Sequence, residues 1–223
     1  MRFFADTANV EEIAGLVEAG LIQGVTTNPT LIQRAGRKDF NECIQEICDI
    51  VKGPVSAEVI STECSDMVKE GRQLAAIDAN VVVKLPCDPQ GMKACKILSD
   101  DGIDVNMTLA FTLSQYVIAE NAGATYVSPF VGRLEDIGKD GICLIEDISI
   151  YNGAKGENKN SCDYSPYILA ASIRNVEHVE RAILGGADIL TVPPKIIWEC
   201  MKHELTLQGI KRFQEDWDKL QNS

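Results

Sequence analysis

The sequence is poor in the residues and spacings that mark a metal centre. It contains only two histidines, His178 and His203. Eight cysteines are present, but no two are spaced C-x-x-C: Cys43, Cys48, Cys64, Cys87, Cys95, Cys143, Cys162 and Cys200. Structural zinc sites use cysteine and histidine at short, regular spacings. We therefore predict no zinc site and expect most thiols to act as small hydrophobic side chains.

Long apolar runs and basic stretches are also missing. No run of about 18 apolar residues could span a membrane, and the first residues, MRFFADTAN, do not form an apolar signal segment. The formal net charge is −12, which makes a nucleic acid or an anionic membrane an unfavourable partner. A phosphorylated substrate is compatible with this charge, because two or three local cations can bind one. We expect a cytoplasmic protein in a reducing compartment.

Short apolar runs alternate with amphipathic helical patterns along the chain. Most amphipathic segments end in glycine or a short polar turn, and the next apolar run follows. Eight runs are predicted as strands: residues 2–6, 24–27, 54–60, 81–85, 103–108, 125–128, 167–172 and 187–191. Strands joined through helices run parallel, and eight of them close naturally into a (β/α)8 TIM barrel.

Two segments lie outside this alternation. Residues 151–166 (YNGAKGENKNSCDYSP) are polar and are predicted to form a surface loop before the seventh strand. Residues 204–220 follow the eighth helix. Four of their apolar side chains fall on one helical face: Ile210, Phe213, Trp217 and Leu220. We predict one barrel domain over residues 1–203 and an extra C-terminal helix, residues 204–223, that packs on a neighbouring subunit.

The most informative stretch is Val81–Pro86, in which three valines precede Lys84. The pattern is typical of a strand buried on both faces of a parallel sheet, and Pro86 ends it because proline has no N–H for the ladder. Burial disfavours a charged ammonium, and the neutral amine that results can attack a carbonyl. The plainer alternative is a lysine at a strand end that reaches water.

Functional side chains cluster at the predicted carboxyl ends of the strands, where barrel enzymes carry their active sites. The candidates are Asp6, Thr26, Asn28, Glu58, Lys84, Asn106, Thr108, Ser128, Phe130, Arg133, Ser172 and Arg174. Several have a plainer role. Asp6 could cap the first helix, Glu58 could face solvent from an edge strand, and the arginines could be surface charges. Because all of these residues are predicted to lie around one mouth of the barrel, a functional site is favoured over separate plainer roles.

This set suits carbon–carbon bond chemistry. A desolvated lysine forms a Schiff base with a ketone, and the adduct accepts electrons when the adjacent carbon–carbon bond breaks. One carboxylate moves protons while the adduct forms, and the other takes the proton of the substrate hydroxyl. Two arginines would hold a phosphate, bidentate where the geometry allows.

Several short motifs resemble one protein family, in order and at consistent spacing. They are FADTAN, GVTTNPTLI, VVVKLP, NMT, YVSPFVGR, LAAS and FQEDW. Together they resemble the small transaldolases and the related fructose-6-phosphate aldolases. The resemblance implies an enzyme of the pentose phosphate pathway that acts on sugar phosphates without a metal or organic cofactor. It also implies a homo-oligomer assembled through the C-terminal helix into rings, commonly decamers.

The resemblance also implies a role for each matched residue. Lys84 is the Schiff-base lysine. Glu58 is the general acid and base, acting through a water that Thr108 also holds, and Asp6 accepts the proton of the cleaved hydroxyl. The dihydroxyacetone portion is bound by Thr26, Asn28, Asn106 and Ser128. The phosphate is bound by Arg133, Ser172 and Arg174.

Two positions distinguish the branches of this family. Transaldolases are similar to this sequence in having glutamate at the position of Glu58 and phenylalanine at that of Phe130, whereas the aldolases have glutamine and tyrosine. A tyrosine hydroxyl near the Schiff base could help to protonate the enamine and discharge it to water. Phe130 cannot, so the enamine would persist until an acceptor aldehyde arrives. We therefore predict a transaldolase, which transfers a dihydroxyacetone unit between sugar phosphates.

Two alternatives stay open. One is an aldolase-like enzyme that releases free dihydroxyacetone, and the other is a catalytically silent barrel that only binds a sugar phosphate. A silent barrel has no physical need for an amine between two carboxylates. Dinucleotide binding is weaker still, because no G-x-G-x-x-G follows any predicted strand.

Overall fold

Short apolar segments pair side by side, in sequence order, to form the centre of the molecule. The computed structural model describes residues 1–156 and 165–222. Its strands are β1 (Arg2–Asp6), β2 (Gly24–Thr26), β3 (Val55–Glu58), β4 (Val81–Pro86), β5 (Val105–Ala110), β6 (Tyr126–Pro129), β7 (Tyr167–Ala170) and β8 (Ile189–Val192). Each strand pairs in parallel with the next, and β8 pairs with β1, which closes the sheet. The predicted TIM barrel is confirmed.

Helices connect the strands. They are α1 (Val10–Glu18), α2 (Pro29–Arg34), α3 (Phe40–Val51), α4 (Cys64–Ala75), α5 (Pro89–Asp100), α6 (Leu113–Asn121), α7 (Val131–Glu135), α8 (Gly141–Gly156), α9 (Val176–Leu184), α10 (Pro194–Glu199) and α11 (Glu204–Gln221). The side chain of Asn9 caps α1 by accepting hydrogen bonds from the backbone N–H groups of Glu11 and Glu12. Because Asn9 holds this position, the capping alternative for Asp6 is wrong.

The strands bury both of their faces, as the valine-rich pattern of β4 predicts. On the inner face, five side chains form a cluster of their own: Phe4, Val82, Tyr126, Leu169 and Ile189. The outward side chains of Val83 and Leu85 belong to the larger core that includes the helices. Two residues beyond the inner cluster the same face becomes polar, because side chains alternate along a strand. Lys84 therefore follows Val82 on the inner face, toward the carboxyl end of β4.

The connection between β6 and β7 differs from the prediction. The loop predicted for residues 151–166 is wrong in its first part, because α8 continues to Gly156. The reason is a contact with α6. The Tyr151 hydroxyl and Lys155 Nζ both hydrogen bond to the Glu120 carboxylate, at 2.9 and 2.6 Å. Residues 157–164 lie outside the described part of the chain.

The seventh strand is shorter than predicted. It ends at Ala170, and Ser172 has a left-handed φ of 59°. This conformation is uncommon for a residue other than glycine and departs from the extended backbone of a strand. Ser172 therefore lies just beyond the strand, on the segment that leads into α9.

The cysteine side chains differ in how deeply they are buried. Cys43, Cys48 and Cys95 are buried as small hydrophobic side chains, and burial raises the pKa of the Cys95 thiol to about 12. Cys64 and Cys87 are half-buried against the core, Cys143 and Cys200 are exposed, and Cys162 lies outside the described residues. Raised pKa values keep thiols protonated and poorly nucleophilic at neutral pH.

The last helix, α11, buries none of its side chains in the described chain. Ile210, Phe213, Trp217 and Leu220 are between 57% and 74% exposed. The predicted C-terminal helix is confirmed, and its packing on a neighbouring subunit stays a prediction. Across the described residues, no helix has the length and apolar character needed to cross a membrane.

Candidate active site

The carboxyl ends of the strands open into two neighbouring cavities. The larger has a volume of about 430 Å³ and the smaller about 160 Å³. Between them they are lined by all the predicted site residues except Arg174. The barrel thus brings together side chains that are far apart in the sequence, as the placement rule for barrel enzymes predicts.

Lys84 lies at the centre of this site and is 6% exposed. Its Nζ is 3.1 Å from Glu58 Oε2 and donates a hydrogen bond to the Thr27 carbonyl oxygen at 3.2 Å. The pair forms because β3 and β4 are in register at Glu58 and Lys84. The alternative of a lysine that reaches bulk water is therefore wrong. Two fixed oxygen partners hold the amine at the cavity wall.

Glu58 faces the larger cavity, because a closed barrel has no edge strand from which it could point to solvent. Thr108 lines the same cavity from β5. Its Oγ1 is buried, and no other atom of the described residues makes a hydrogen bond to it. An unsatisfied buried hydroxyl costs about 1–3 kcal/mol. A polar group bound in the cavity would remove this cost.

Asp6 is the second carboxylate, and its Oδ1 accepts a hydrogen bond from Thr26 Oγ1 at 2.8 Å. Although the side chain borders the cavity, protein surrounds it, and this burial raises the pKa of Asp6 above its ordinary value. The positive charge of Lys84 and the hydrogen bond from Thr26 lower the pKa in part, while the charge of Glu58 raises it. Asp6 is therefore a carboxylate with increased affinity for a proton.

A buried network fixes the amide of Asn106. Ser128 Oγ donates to Asn106 Oδ1 at 2.7 Å, and Asn106 Nδ2 donates to Ser56 Oγ at 3.1 Å. Asn28, on the other side of the mouth, accepts a hydrogen bond from the Leu31 backbone N–H and so caps α2. Fully satisfied networks of this kind hold polar side chains in one orientation. They can therefore present a fixed pattern of polar atoms to a bound molecule.

The ring of Phe130 forms part of the cavity wall. The ring of Phe111 meets it edge to face at a centroid distance of 6.0 Å. The guanidinium carbon of Arg133 is 5.2 Å from the centroid of the Phe130 ring. This is within the range of a cation–π interaction, so Phe130 contributes to the position of the arginine.

Arg174 is the one predicted residue that the structure does not bring to the cavities. Its guanidinium makes two hydrogen bonds to the carboxylate of Asp136, at 2.5 and 2.6 Å. The side chain passes over Gly132, where a Cβ atom would lie 2.5 Å from Arg174 Nε. Ser172, in contrast, lines the smaller cavity. The predicted phosphate-binding group is only partly assembled in this structure.

Sequence reasoning missed three features of the site. Thr191, on β8, lines the smaller cavity, and its Oγ1 is 2.5 Å from Thr26 Oγ1. The placement rule could have identified it, because it lies at a strand end as Thr26 does. Arg34, at the end of α2, lines the larger cavity. Leu109 has a left-handed φ of 60° at a register shift in β5, and local sequence contains no signal for such a bulge.

The fold and the site together define a class. It is a (β/α)8 barrel with a buried lysine and two carboxylates at its mouth, an arrangement suited to Schiff-base chemistry on small carbonyl compounds. Among the described residues, no group of three or more histidine, cysteine, aspartate or glutamate side chains is arranged to hold a metal ion.

Comparison with known proteins identifies the family. A profile described as Transaldolase/Fructose-6-phosphate aldolase matches residues 3–223. A probable transaldolase of Geobacter metallireducens is 50% identical over 220 residues, covering 99% of each chain. A probable transaldolase of Agathobacter rectalis is 52% identical over 219 residues, covering 97% of each chain. The chain belongs to the transaldolase/fructose-6-phosphate aldolase family, and the prediction of a transaldolase is confirmed.

A solved structure supports the fold independently. Thiamine phosphate pyrophosphorylase from Pyrococcus furiosus superposes with a TM-score of 0.59, covering 89% of this chain and 93% of that chain. The two sequences are 14% identical. At this identity the similarity shows the fold alone, since one barrel serves many chemistries.

Proposed function

We propose that this enzyme transfers a dihydroxyacetone unit from fructose 6-phosphate to an aldose phosphate through a Schiff base on Lys84. The observation that carries the proposal is the buried contact of 3.1 Å between Lys84 Nζ and Glu58 Oε2 at the barrel mouth. A lysine in this position has a base within proton-transfer distance and little water around it. The base can take a proton from the amine, and the exclusion of water protects the Schiff base that forms.

In the first step, the neutral amine of Lys84 attacks the ketone carbon, and the carbinolamine then loses water to form the iminium ion. Glu58 first takes a proton from the Lys84 ammonium, which leaves the neutral amine, and gives that proton to the ketone oxygen as the new bond forms. It then takes a second proton from the attacking nitrogen and gives it to the departing hydroxyl, which leaves as water. A water held between Glu58 and Thr108 would carry these protons. The buried Thr108 Oγ1, which lacks a partner among the described residues, supports this position for the water.

In the second step, the bond between C3 and C4 of the substrate breaks. Asp6 takes the proton of the C4 hydroxyl, the bonding electrons move into the iminium, and the aldehyde phosphate leaves. The enamine that remains then attacks the carbonyl carbon of the acceptor, and Asp6 returns the proton to the new hydroxyl. Water adds to the iminium that results, in the reverse of the first step, and this releases the ketose phosphate and the Lys84 amine. The raised pKa of Asp6 supports this role, because a stronger base accepts the hydroxyl proton more readily.

The two cavities differ in the parts of the substrate they suit. Thr26, Asn106 and Ser128 line the smaller one, whose hydroxyl and amide groups could bind the hydroxyls of the three-carbon unit. Arg133 borders both cavities, and its charge would bind the phosphate. We propose that Arg174 leaves Asp136 and joins Arg133 when a phosphate enters. We also propose that the enzyme acts in the cytoplasm, on intermediates of the pentose phosphate pathway.

Trapping of the covalent intermediate tests this proposal. Borohydride reduction in the presence of fructose 6-phosphate should add a dihydroxyacetone-derived mass to the peptide that contains Lys84. The label should be absent in Lys84→Ala and present in Lys93→Ala, a control on the outer surface of α5. Labelling of Lys84→Ala at full yield would contradict the proposal.

A further inference from the structure

Three oxygen atoms form a hydrogen-bonded row across the mouth, from β8 to β1. Thr191 Oγ1 lies 2.5 Å from Thr26 Oγ1, and Thr26 Oγ1 donates to Asp6 Oδ1 at 2.8 Å. Both threonines are 2% exposed. Bulk water therefore has little access to either hydroxyl, and Thr191 is linked to Asp6 through the Thr26 hydroxyl.

The number of protons on these three side chains determines which oxygen donates and which accepts in each hydrogen bond. Thr26 has one hydroxyl proton, and it points to Asp6 while the carboxylate is ionised. The short contact with Thr191 then requires Thr191 to be the donor and Thr26 the acceptor. When Asp6 is protonated, Asp6 can donate to Thr26, and Thr26 can donate to Thr191. The row thus fits both protonation states without breaking a hydrogen bond.

We propose that Thr191 is a positioning residue that helps to keep Asp6 ionised, acting through Thr26. A hydroxyl that accepts a hydrogen bond becomes a stronger donor, by roughly 10–30% per bond. Donation from Thr191 therefore strengthens the bond from Thr26 to the ionised carboxylate. The consequence for catalysis rests on the proposed function, in which Asp6 accepts the substrate proton.

Other groups also act on Asp6, and the test must separate them from Thr191. Lys84 approaches from β4 and Glu58 from β3, and both change the pKa of Asp6 through their charges. Arg34 and Arg133 line the same cavity from α2 and α7. All four remain in place when Thr191 alone is changed. A shift in the pKa of Asp6 that occurs only when the Thr26 hydroxyl is present therefore cannot be caused by these four groups.

The test is a set of pH titrations on the full-length protein. The pKa of Asp6 is measured by NMR with ¹³C-labelled aspartate carboxyl groups, and Asp6→Asn identifies the resonance. Thr191→Val should raise the pKa by roughly 0.1–0.7 unit, and Thr26→Val should raise it more, because it removes the direct hydrogen bond. Thr191→Ser should restore the original value. In the Thr26→Val background, Thr191→Val should add no further shift.

Two control variants test whether the effect depends on the location of the hydroxyl and whether it comes from a disturbed fold. Thr125→Val is matched, since Thr125 Oγ1 also donates to a carboxylate, Asp104 Oδ1, at 2.8 Å, but at the opposite end of the barrel. It should leave the pKa of Asp6 unchanged. Thr191→Ala removes the hydroxyl without introducing a branched apolar side chain, and it serves if the valine disturbs β8.

The outcomes separate this inference from the proposed function. An unchanged pKa of Asp6 in Thr191→Val and Thr191→Ala, or an equal shift with and without the Thr26 hydroxyl, overturns the role of Thr191. The acid limb of kcat/KM should move to higher pH together with the pKa. If the pKa moves and the acid limb does not, the role of Thr191 stands and the proton-acceptor role of Asp6 is overturned.

Discussion

At the residue scale, the two carboxylates of the site have different surroundings, and these suit different tasks. Glu58 contacts the Lys84 amine directly, at 3.1 Å. Asp6 accepts a hydrogen bond from Thr26, and its pKa is raised mainly by burial. One carboxylate can therefore move protons at the amine, while the other is ready to accept a proton from a substrate hydroxyl.

The raised pKa of Asp6 has a consequence for stability. The folded state binds a proton at Asp6 more tightly than the unfolded state, so the contribution of this group to stability is complete below its unfolded pKa, roughly 3.9. That contribution is lost as the pH rises through the folded value. Asp6→Asn should therefore increase the melting temperature at pH 7–8 and reduce transfer activity. Thermal unfolding by circular dichroism at pH 4 and pH 8 measures both regimes, and a variant less stable than wild type at pH 8 would contradict the argument.

Phe130 determines the fate of the enamine if the proposed function is correct. Phe130→Tyr places a hydroxyl near the Schiff base, and a general acid changes rates by roughly 10²–10⁴-fold. We expect more release of free dihydroxyacetone from fructose 6-phosphate and a smaller share of transfer. An assay with and without erythrose 4-phosphate measures this share. Unchanged partitioning would mean that a different group supplies the proton.

At the scale of elements, the segment that follows α7 holds Arg174, which we propose as a phosphate ligand, in an ion pair. Asp136, just after α7, binds the Arg174 guanidinium, and this contact lowers the pKa of Asp136. Gly132 leaves room for the arginine side chain to pass. A substrate phosphate that uses Arg174 must compete with the Asp136 carboxylate.

Asp136→Asn should therefore lower the KM for fructose 6-phosphate. Solvent screens an exposed ion pair, so the decrease should be small, no more than roughly 5-fold. Adduct formation with dihydroxyacetone, which has no phosphate, should not change. Asp140→Asn is the matched control, because it removes another exposed ion pair, that of Arg181, from the segment that follows α7. A higher KM in Asp136→Asn would show that Asp136 orients Arg174 for the substrate instead of competing with it.

At the scale of the whole molecule, α11 leaves a large apolar surface uncovered. Its face of Ile210, Phe213, Trp217 and Leu220 is more than half exposed. Exposed patches of this kind mark interaction sites. We propose that a second copy of this chain covers the face and that the native protein is a homo-oligomer.

Removal of residues 204–223 should reduce the native mass in light scattering, because it removes this surface. The pair of substitutions Phe213→Glu and Trp217→Glu should act in the same way with α11 intact. Gln208→Glu, on the opposite face of the same helix, should leave the mass unchanged. A monomer from the intact chain at micromolar concentration would exclude the proposal.

The sequence by itself determined the barrel and most members of the site. Strand order follows from local periodicity, since each strand is a short apolar run and each helix an amphipathic one. Parallel strands also carry their carboxyl ends to one mouth. Lys84, Glu58 and Asp6 could therefore be assigned to one site before any contact was known. The position of each of these residues in its strand follows from the few residues around it in the sequence.

Only the tertiary structure decided which polar groups pair. Thr191 and Thr26 are 165 positions apart, and Arg174 and Asp136 are 38 apart. Such partners are chosen by distance and direction in the folded barrel, and no local pattern contains that information. The same holds for the extension of α8, which depends on Glu120 of α6. Local sequence determines which face a side chain occupies, whereas packing between distant segments determines what it touches.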